Sequence, residues 1–395
     1  MCDIIINMQV EVVVGANYGD EGKGMFTEHL CRAMPKPVVV MSNGGCQRGH
    51  TVNSKELSIR HVFHHFGSGT LLGVPSIYAK TFLLNPIKYI EEKRELERCG
   101  IELKVFRVPG CILQLPSDMF TNQMLESARA KDGMQHGSCG WGIWETQVRN
   151  AEFGQLTFDS FASMTQLEKC TAMQNALEWQ LSARLAECRG SISTSLLECM
   201  SSEGFIKHFI QDFDEMARDV KCLESSDITS IDWRMHGIDA ESIVVENAQG
   251  LLLDAEYAPE DADGKTDVHA TPSRCGLAGA LDALGSKADA RSIEVNYITR
   301  SYMTRHGAGP FTEEDKSMHF EDKTNAPNDW QGSLRFGKID DEVAAQLLSR
   351  AELDSKAAKH RVVVTHCNEA EPCALLKVNA QMLSYEDDSR KFMEA

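Results

Sequence analysis

Residues 11–25 read EVVVGANYGDEGKGM, and the order of residue types in this stretch decides the fold class. The run VEVVVGAN (10–17) reads as a buried strand entering a turn, and GMFTEHLCRAM (24–34) as the helix that leaves it. Between them lie Gly15, Gly19, Gly22 and Gly24, which let other backbone or a ligand approach closely. A Walker A loop needs GxxxxGK followed by Ser or Thr. Here the residue five before Gly22 is Asn17, and the residue after Lys23 is Gly24. The Walker pattern fails at both places, but the helix N-terminus still favours an anion. Lys23 can neutralise phosphate, and Asp20 can hold Mg²⁺ or take a proton. Taken alone, the cluster serves equally well as a structural βα turn with surface charges.

Working outward, PVVVMSNGG (37–45), ESIVVENAQG (241–250), SIEVNYITR (292–300) and RVVVTHCNE (361–369) repeat the same grammar of a Val/Ile run closed by a Gly or polar turn. Near-continuous apolar runs suit central parallel strands covered on both faces. The expected fold is therefore α/β with central parallel strands, built as one large domain or two smaller ones. Apolar residues recur at helical spacing through 160–222, which predicts a helical insert over about 155–225. Segments 253–275 and 306–338, rich in Asp, Gly, Pro and Asn, are expected to be active-site loops.

The 395 residues carry a net charge of −18. Nucleic-acid backbones and anionic membranes both need a basic surface, so neither is the expected partner. The first residues show no basic segment and no small-residue cleavage site, and no apolar run approaches the length of a membrane span. Thirteen cysteines form no CxxC pair and read as reduced thiols of a cytoplasmic protein.

A second glycine turn, SNGGCQRGHTV (42–52), presents His50 as an exposed loop residue, and HHFGSGTL (64–71) follows a hairpin-like segment. A zinc site on His50, His61, His64 and His65 is the competing reading. No carboxylate or cysteine stands at a ligand-like spacing from them, which disfavours it.

GANYGDEGKG, NGGCQRGHTV and FGSGTL, in that order, resemble the N-terminal motifs of the adenylosuccinate synthetase family. HGSCGWGIWETQVRN (136–150), VENAQGLLLD (245–254), TPSRCG (271–276), TRHGAGPFTEE (304–314) and VVVTHCNE (362–369) continue the series. The resemblance spans about residues 10 to 370 and implies a single P-loop-related α/β domain over residues 1–395 around a large, mainly parallel sheet, and a homodimer. It implies a ligase that phosphorylates O6 of IMP with a nucleoside triphosphate and then displaces that phosphate with L-aspartate. By the same resemblance Asp20 is the base that removes the purine N1 proton and a Mg²⁺ ligand, with the Gly49 carbonyl as a second metal ligand. His50 is the acid that steadies the transferring phosphoryl group, and Lys23 neutralises its charge. Gly19, Glu21, Gly22, Gly24, Gln47 and Ser138 fall in nucleotide or phosphate contacts. Gln249 matches the residue at the purine 6-position, Thr271 one near the nucleotide phosphate, and Arg149 an arginine that reaches into the partner subunit's site.

The chain also departs from the family pattern. Gln47 replaces a shorter Asn, and Cys139 falls where the family has a phosphate-binding Thr, with Ser138 beside it to compensate. The arginine-rich aspartate loop gives way to NAPNDWQGSLRFGKID (325–340), which keeps Arg335 as the amino-acid ligand. Asn368 stands where the family reads guanine with an Asp, and the later Ser-Thr-Gly segment of that pocket has no counterpart. An amide offers both donor and acceptor, which suits adenine. These changes resemble the bacteriophage branch of the family, which makes 2-aminoadenylosuccinate from dGMP with ATP or dATP; that is the alternative function. A non-catalytic nucleotide-binding protein is the remaining one.

Overall fold

The computed structural model describes residues 8–131, 133–134, 136–186, 188, 194–258, 268–325, 332–356 and 358–395. In chain order, β1 (Gln9–Gly15), α1 (Lys23–Ala33) and β2 (Pro37–Met41) form the first βαβ unit. The hairpin β3 (His50–Ser54) and β4 (Ile59–Phe63) follows, then β5 (Ser76–Tyr78), α2 (Pro86–Arg98) and β6 (Val105–Arg107). A helical stretch comprises α3 (Pro116–Lys131), α4 (Ile143–Glu152), α5 (Phe158–Ala162), α6 (Gln166–Trp179), α7 (Thr194–Ser201) and α8 (Glu203–Asp219), and ends in the short strand β7 (Lys221–Cys222). The chain then returns through β8 (Ser242–Gly250), α9 (Leu277–Leu284), β9 (Ile293–Arg300), β10 (Met303–Arg305) and β11 (Arg335–Gly337). It finishes with α10 (Asp341–Ser355), β12 (Lys359–Thr365), α11 (Ala374–Asn379), β13 (Met382–Ser384) and β14 (Phe392–Glu394).

Ten strands make one sheet in the order β14-β13-β12-β9-β1-β8-β2-β5-β6-β7. Every paired neighbour in it is parallel except β13 with β14. The Val runs occupy its middle: Val12–Val14, Val38–Val40 and Val244–Val245 have no exposed surface. Burial of consecutive residues means that both faces are covered, as the sequence pattern required. α1 packs on β1, β2 and β8, while α9 and α10 pack against β1 and β12.

The topology places the site. From β1 the chain steps to one side through β2, β5, β6 and β7, comes back to insert β8 between β1 and β2, then continues on the other side with β9 and β12. Beside β1 the direction of travel reverses, and in open α/β sheets that crevice at the C-terminal strand ends is where ligands bind. Three of these ends are turned by non-glycine residues in the left-handed region: Asp20 (φ 62°) after β1, Gln249 (φ 68°) on β8 and His366 (φ 56°) after β12. At β8 a bulge makes the turn. Val13 pairs with Glu246, yet Gly15 pairs with Gly250, so β8 spends four residues where β1 spends two.

Candidate active site

A cavity of about 1040 Å³ lies over these strand ends and is lined by the 18–25 loop, the β3–β4 hairpin, the β8 bulge and the segments after β9 and β12. Its volume is at the upper end of ordinary small-ligand sites. The glycine loop is organised by Glu21, which is 2% exposed. One carboxylate oxygen accepts the backbone N–H of Asn17 (3.1 Å) and of Gly19 (2.8 Å), and the other accepts Lys23 Nζ at 2.9 Å. A side chain at Gly15 would strike both Glu21 and Lys23, so glycine is required there. Gly22 caps α1 with φ 92°, and a Cβ at Gly24 would meet the backbone of His50 at 2.9 Å, which ties the two glycine turns together.

Asp20 follows Gly19 at the cavity floor. Arg300 Nε donates to its backbone oxygen at 2.6 Å, and His306 Nδ1 lies 3.7 Å from Oδ2. Burial raises the Asp20 pKa, against the opposing pull of His306, Arg300 and Lys23.

The structure corrects the placement of His50. It is the first residue of β3, only 6% exposed, and not an open loop residue. Its Nδ1 lies 2.7 Å from Glu246 Oε1, leaving Nε2 as the ring nitrogen on the cavity side. Glu246 is fully buried on β8 and also receives Arg48 Nη1 (3.2 Å), the Ser68 N–H (3.1 Å) and the Ser68 hydroxyl. Burial alone would raise the Glu246 carboxyl, but Arg48, His50 and Ser68 more than offset it and hold it at about 2. Burial lowers His50 to about 4 even with Glu246 beside it.

On the opposite wall the Gln249 amide is 3.3 Å from the Thr271 hydroxyl. Ser138 donates to Asn122 Oδ1 at 2.8 Å, and the adjacent Cys139 thiol, pushed by burial to about 11, faces the same space. The Gln47 amide lies against Gly44, with both Nε2 and Oε1 buried and without a hydrogen-bond partner among the described residues. Gly49 is exposed at the rim of the cavity. Asn368 also lines the cavity, as do Tyr385 and Phe320.

Two expected site residues are elsewhere. Arg149 is 1% exposed on α4, where Nε and Nη2 grip Asp118 at 2.8 and 3.0 Å and Nη2 also reaches the Leu113 carbonyl at 2.7 Å. Its charge is spent inside its own subunit because α3 presents a fully buried carboxylate that needs a cation. Arg335 pairs with Glu314 (3.1 and 2.6 Å) and the Gly309 carbonyl (2.9 Å) and is not part of the cavity wall. Among the described residues the guanidinium groups lining that side of the cavity include Arg300, paired with Asp322 at 3.0 Å, Arg305, stacked 4.4 Å over Tyr18, and Arg60, which donates to Thr324. Residues 326–331 of the replaced aspartate loop lie outside the described residues. Glu246 and His306 escaped the reading of motifs. Glu246 had a usable signal, since an acid inside a valine strand must be paired; His306 had none beyond its place in a glycine-rich turn.

A family model, Adenylosuccinate synthetase, matches residues 12–352. A curated adenylosuccinate synthetase of Xanthomonas campestris pv. campestris is 29% identical over 320 residues, covering 78% of this chain and 65% of that protein. One of Acidovorax ebreus is 29% identical over 315 residues, covering 77% and 64%. The chain thus matches just under two thirds of the length of these curated relatives. Among solved structures, the fully ligated adenylosuccinate synthetase of Plasmodium falciparum superposes with a TM-score of 0.71 at 14% identity, over 98% of this chain and 100% of that one. The cyanophage S-2L succinoaminodeoxyadenylate synthetase bound to dGMP and dATP superposes with 0.63 at 13%, over 98% and 95%. At such identities the likeness is one of fold.

Proposed function

The chain belongs to the adenylosuccinate synthetase family, and from that premise we propose that it is a purine nucleotide ligase. It transfers the γ-phosphoryl group of a nucleoside triphosphate to O6 of a 6-oxopurine nucleoside monophosphate, and L-aspartate then displaces the phosphate through its amino group. IMP and dGMP share the lactam edge this chemistry needs. The observation that carries the reading is that Asp20 and His50, from different elements, face one cavity beside the glycine loop.

O6 is a poor nucleophile until N1 loses its proton, so a carboxylate must stand at N1, and Asp20 takes that proton. His50, its Nδ1 on Glu246, turns Nε2 to the phosphoryl group in flight, and this neutral ring serves as an acid there once the charge of the bound triphosphate has drawn a proton onto Nε2. Lys23 shares its charge between Glu21 and the phosphates. Arg300 and Arg305 supply positive potential for the dicarboxylic amino acid in place of Arg335. Mg²⁺ suits the site. Among the described residues the Asp20 carboxylate pairs with no lysine or arginine, the His306 ring lying 3.7 Å away, and Mg²⁺ is commonly held by one carboxylate together with substrate phosphates. Asp20 and the Gly49 carbonyl would hold it, and when bound it would neutralise phosphate charge.

The homodimer and a cytoplasmic setting are proposed on family likeness. Arg149, turned inward, lends the dimer no support. Among the described residues no helix is long and apolar enough to cross a membrane. The test is a matrix of IMP and dGMP against GTP, ATP and dATP, with aspartate and Mg²⁺, following phosphate release and purine absorbance. Turnover in at least one combination is expected; phosphate release that does not depend on aspartate and monophosphate in any of them would overturn the proposal.

A further inference from the structure

Asp20 and His50 stand on different sheets. Asp20 follows β1 of the ten-stranded sheet, while His50 opens β3 of the separate two-stranded hairpin. Asp20 also holds left-handed backbone, which a non-glycine residue keeps only where its surroundings over-determine it. The reaction needs both side chains in register at the same moment, and a displacement near 1 Å costs up to about 100-fold in rate.

Arg300, the last residue of β9, grips the Asp20 loop. Its Nε donates to the Asp20 backbone oxygen at 2.6 Å, Nη1 to the Tyr302 hydroxyl at 2.8 Å and Nη2 to Asp322 Oδ2 at 3.0 Å. The side chains of Arg300 and Asp322 are only 6% and 13% exposed. A planar guanidinium held at three corners keeps one orientation, and Asp322 is its carboxylate corner.

Asp322 faces the other way as well. Its Oδ1 accepts the backbone N–H of Thr324 (2.9 Å) and of Asn325 (3.0 Å), which closes a tight turn on the side chain. Phe320, stacked on Tyr302 with ring centres 4.2 Å apart, anchors the approach to that turn. The turn presents the Thr324 hydroxyl to the hairpin. Thr51, the neighbour of His50, meets it at 2.8 Å, and Arg60 of β4 donates to it. Two chains of hydrogen bonds thus meet at one carboxylate: through Arg300 to the Asp20 loop, and through Thr324 to the base of the hairpin.

We infer that Asp322 is a positioning residue for the ligase reaction, acting through Arg300 and Thr324 to hold the Asp20 loop and the His50 hairpin in one fixed relation. The inference rests on the ligase reading above for the roles of Asp20 and His50.

The test is steady-state kinetics of the full chain with Mg²⁺ and saturating aspartate, on the nucleotide pair that the unmodified protein turns over best. Asp322→Asn keeps an oxygen for the turn and gives up the charge that holds Arg300. Its kcat is expected to fall about 10- to 100-fold, while KM for the monophosphate and for the triphosphate stays within about 3-fold. Asp322→Glu, which returns the carboxylate, should recover part of kcat. Thr324→Val cuts the link to the hairpin and leaves Arg300 in place; its kcat should fall about 3- to 10-fold at the same KM. This second variant decides the matter if thermal melting shows that the Asp322 variants do not fold. An unchanged kcat in folded Asp322→Asn or in Thr324→Val would overturn the inference, as would a loss confined to KM. Each of these results leaves the ligase reading standing, because the unmodified protein still turns over. Absence of turnover by the unmodified protein with every nucleotide pair would overturn that reading and this one together.

Discussion

Glu246 shows how a single residue sets the condition of the site. It is an acid in a valine strand, held ionised by Arg48 and Ser68, and it fixes the orientation of His50. Both groups titrate below their ordinary values, His50 at about 4 and Glu246 at about 2. The unfolded chain therefore binds more protons than the folded one at acid pH, and stability falls as pH drops. The His50 contribution is lost from about pH 6.5 down towards 4, and that of Glu246 from about 4.5 down towards 2. Linkage puts the His50 loss on the order of 2 kcal/mol at pH 5. Melting temperature followed from pH 7 to pH 5 should fall in the unmodified protein and fall less in His50→Asn; equal slopes would show that His50 is not buried neutral. Asp20→Asn should lower turnover by about 10²-fold or more, the scale of a lost general base, while nucleotide binding persists. Near-normal turnover in that variant would remove Asp20 from the chemistry. On the expectation that Asn368, which lines the cavity, meets the base of the donor nucleotide, it offers one donor and one acceptor where guanine wants two acceptors. ATP or dATP should serve at least as well as GTP, and Asn368→Asp should shift preference toward GTP by roughly 10-fold or more. An unmodified protein that strongly prefers GTP would place Asn368 outside the donor site.

At the scale of elements, α4 repays a closer look. Its Arg149 looked from the sequence like a residue sent to a partner, because a motif records neighbours in the chain and not the carboxylate that folding brings up from α3. Asp118 accepts from Arg149, from Thr146 (3.1 Å) and from Gln180 (2.6 Å), and Gln180 opens a π-helical turn, Gln180–Arg184, at the end of α6. Arg184 from the same turn grips Glu145 at 2.8 and 3.1 Å. The helical stretch thus holds α4 by one buried and one partly buried ionic contact, and Ile143, Trp144 and Gln147 of α4 reach the cavity. Arg149→Leu leaves Asp118 buried without its cation and should cost about 3–5 kcal/mol in chemical denaturation. Mixing that variant with Asp20→Asn protein should restore no activity, as no shared site depends on Arg149. Recovery of activity in the mixture would return Arg149 to a partner's site. A comparable clamp holds α9. Asp354 of α10 accepts the Leu277 N–H at 3.0 Å and the hydroxyls of Tyr297 (2.7 Å) and Tyr257. Asp354→Ala should destabilise by several kcal/mol, since three donors lose their acceptor in a buried place.

Over the whole molecule, what could be read from the chain was whatever is local. The strands at 9–15, 37–41, 242–250, 293–300 and 359–365 lie under the Val and Ile runs that announced them, because burial on both faces leaves an unbroken apolar record. The insertion of β8 between β1 and β2 left no such record, since register between strands more than 200 residues apart is settled by the assembled core. The same gap explains His306, whose meaning depends on β9 lying beside β1. The glycine turns announced the loop, yet not that Glu21 would serve its backbone and Lys23. Asp20, Gln249 and His366 all hold left-handed backbone without being glycine, a conformation that costs each of them on the order of 1 kcal/mol. Glycine at any of the three would relieve that cost. A laboratory selection that rewards heat resistance and ignores chemistry would therefore drift toward glycine at these three positions, and its winners would be sturdy and inert.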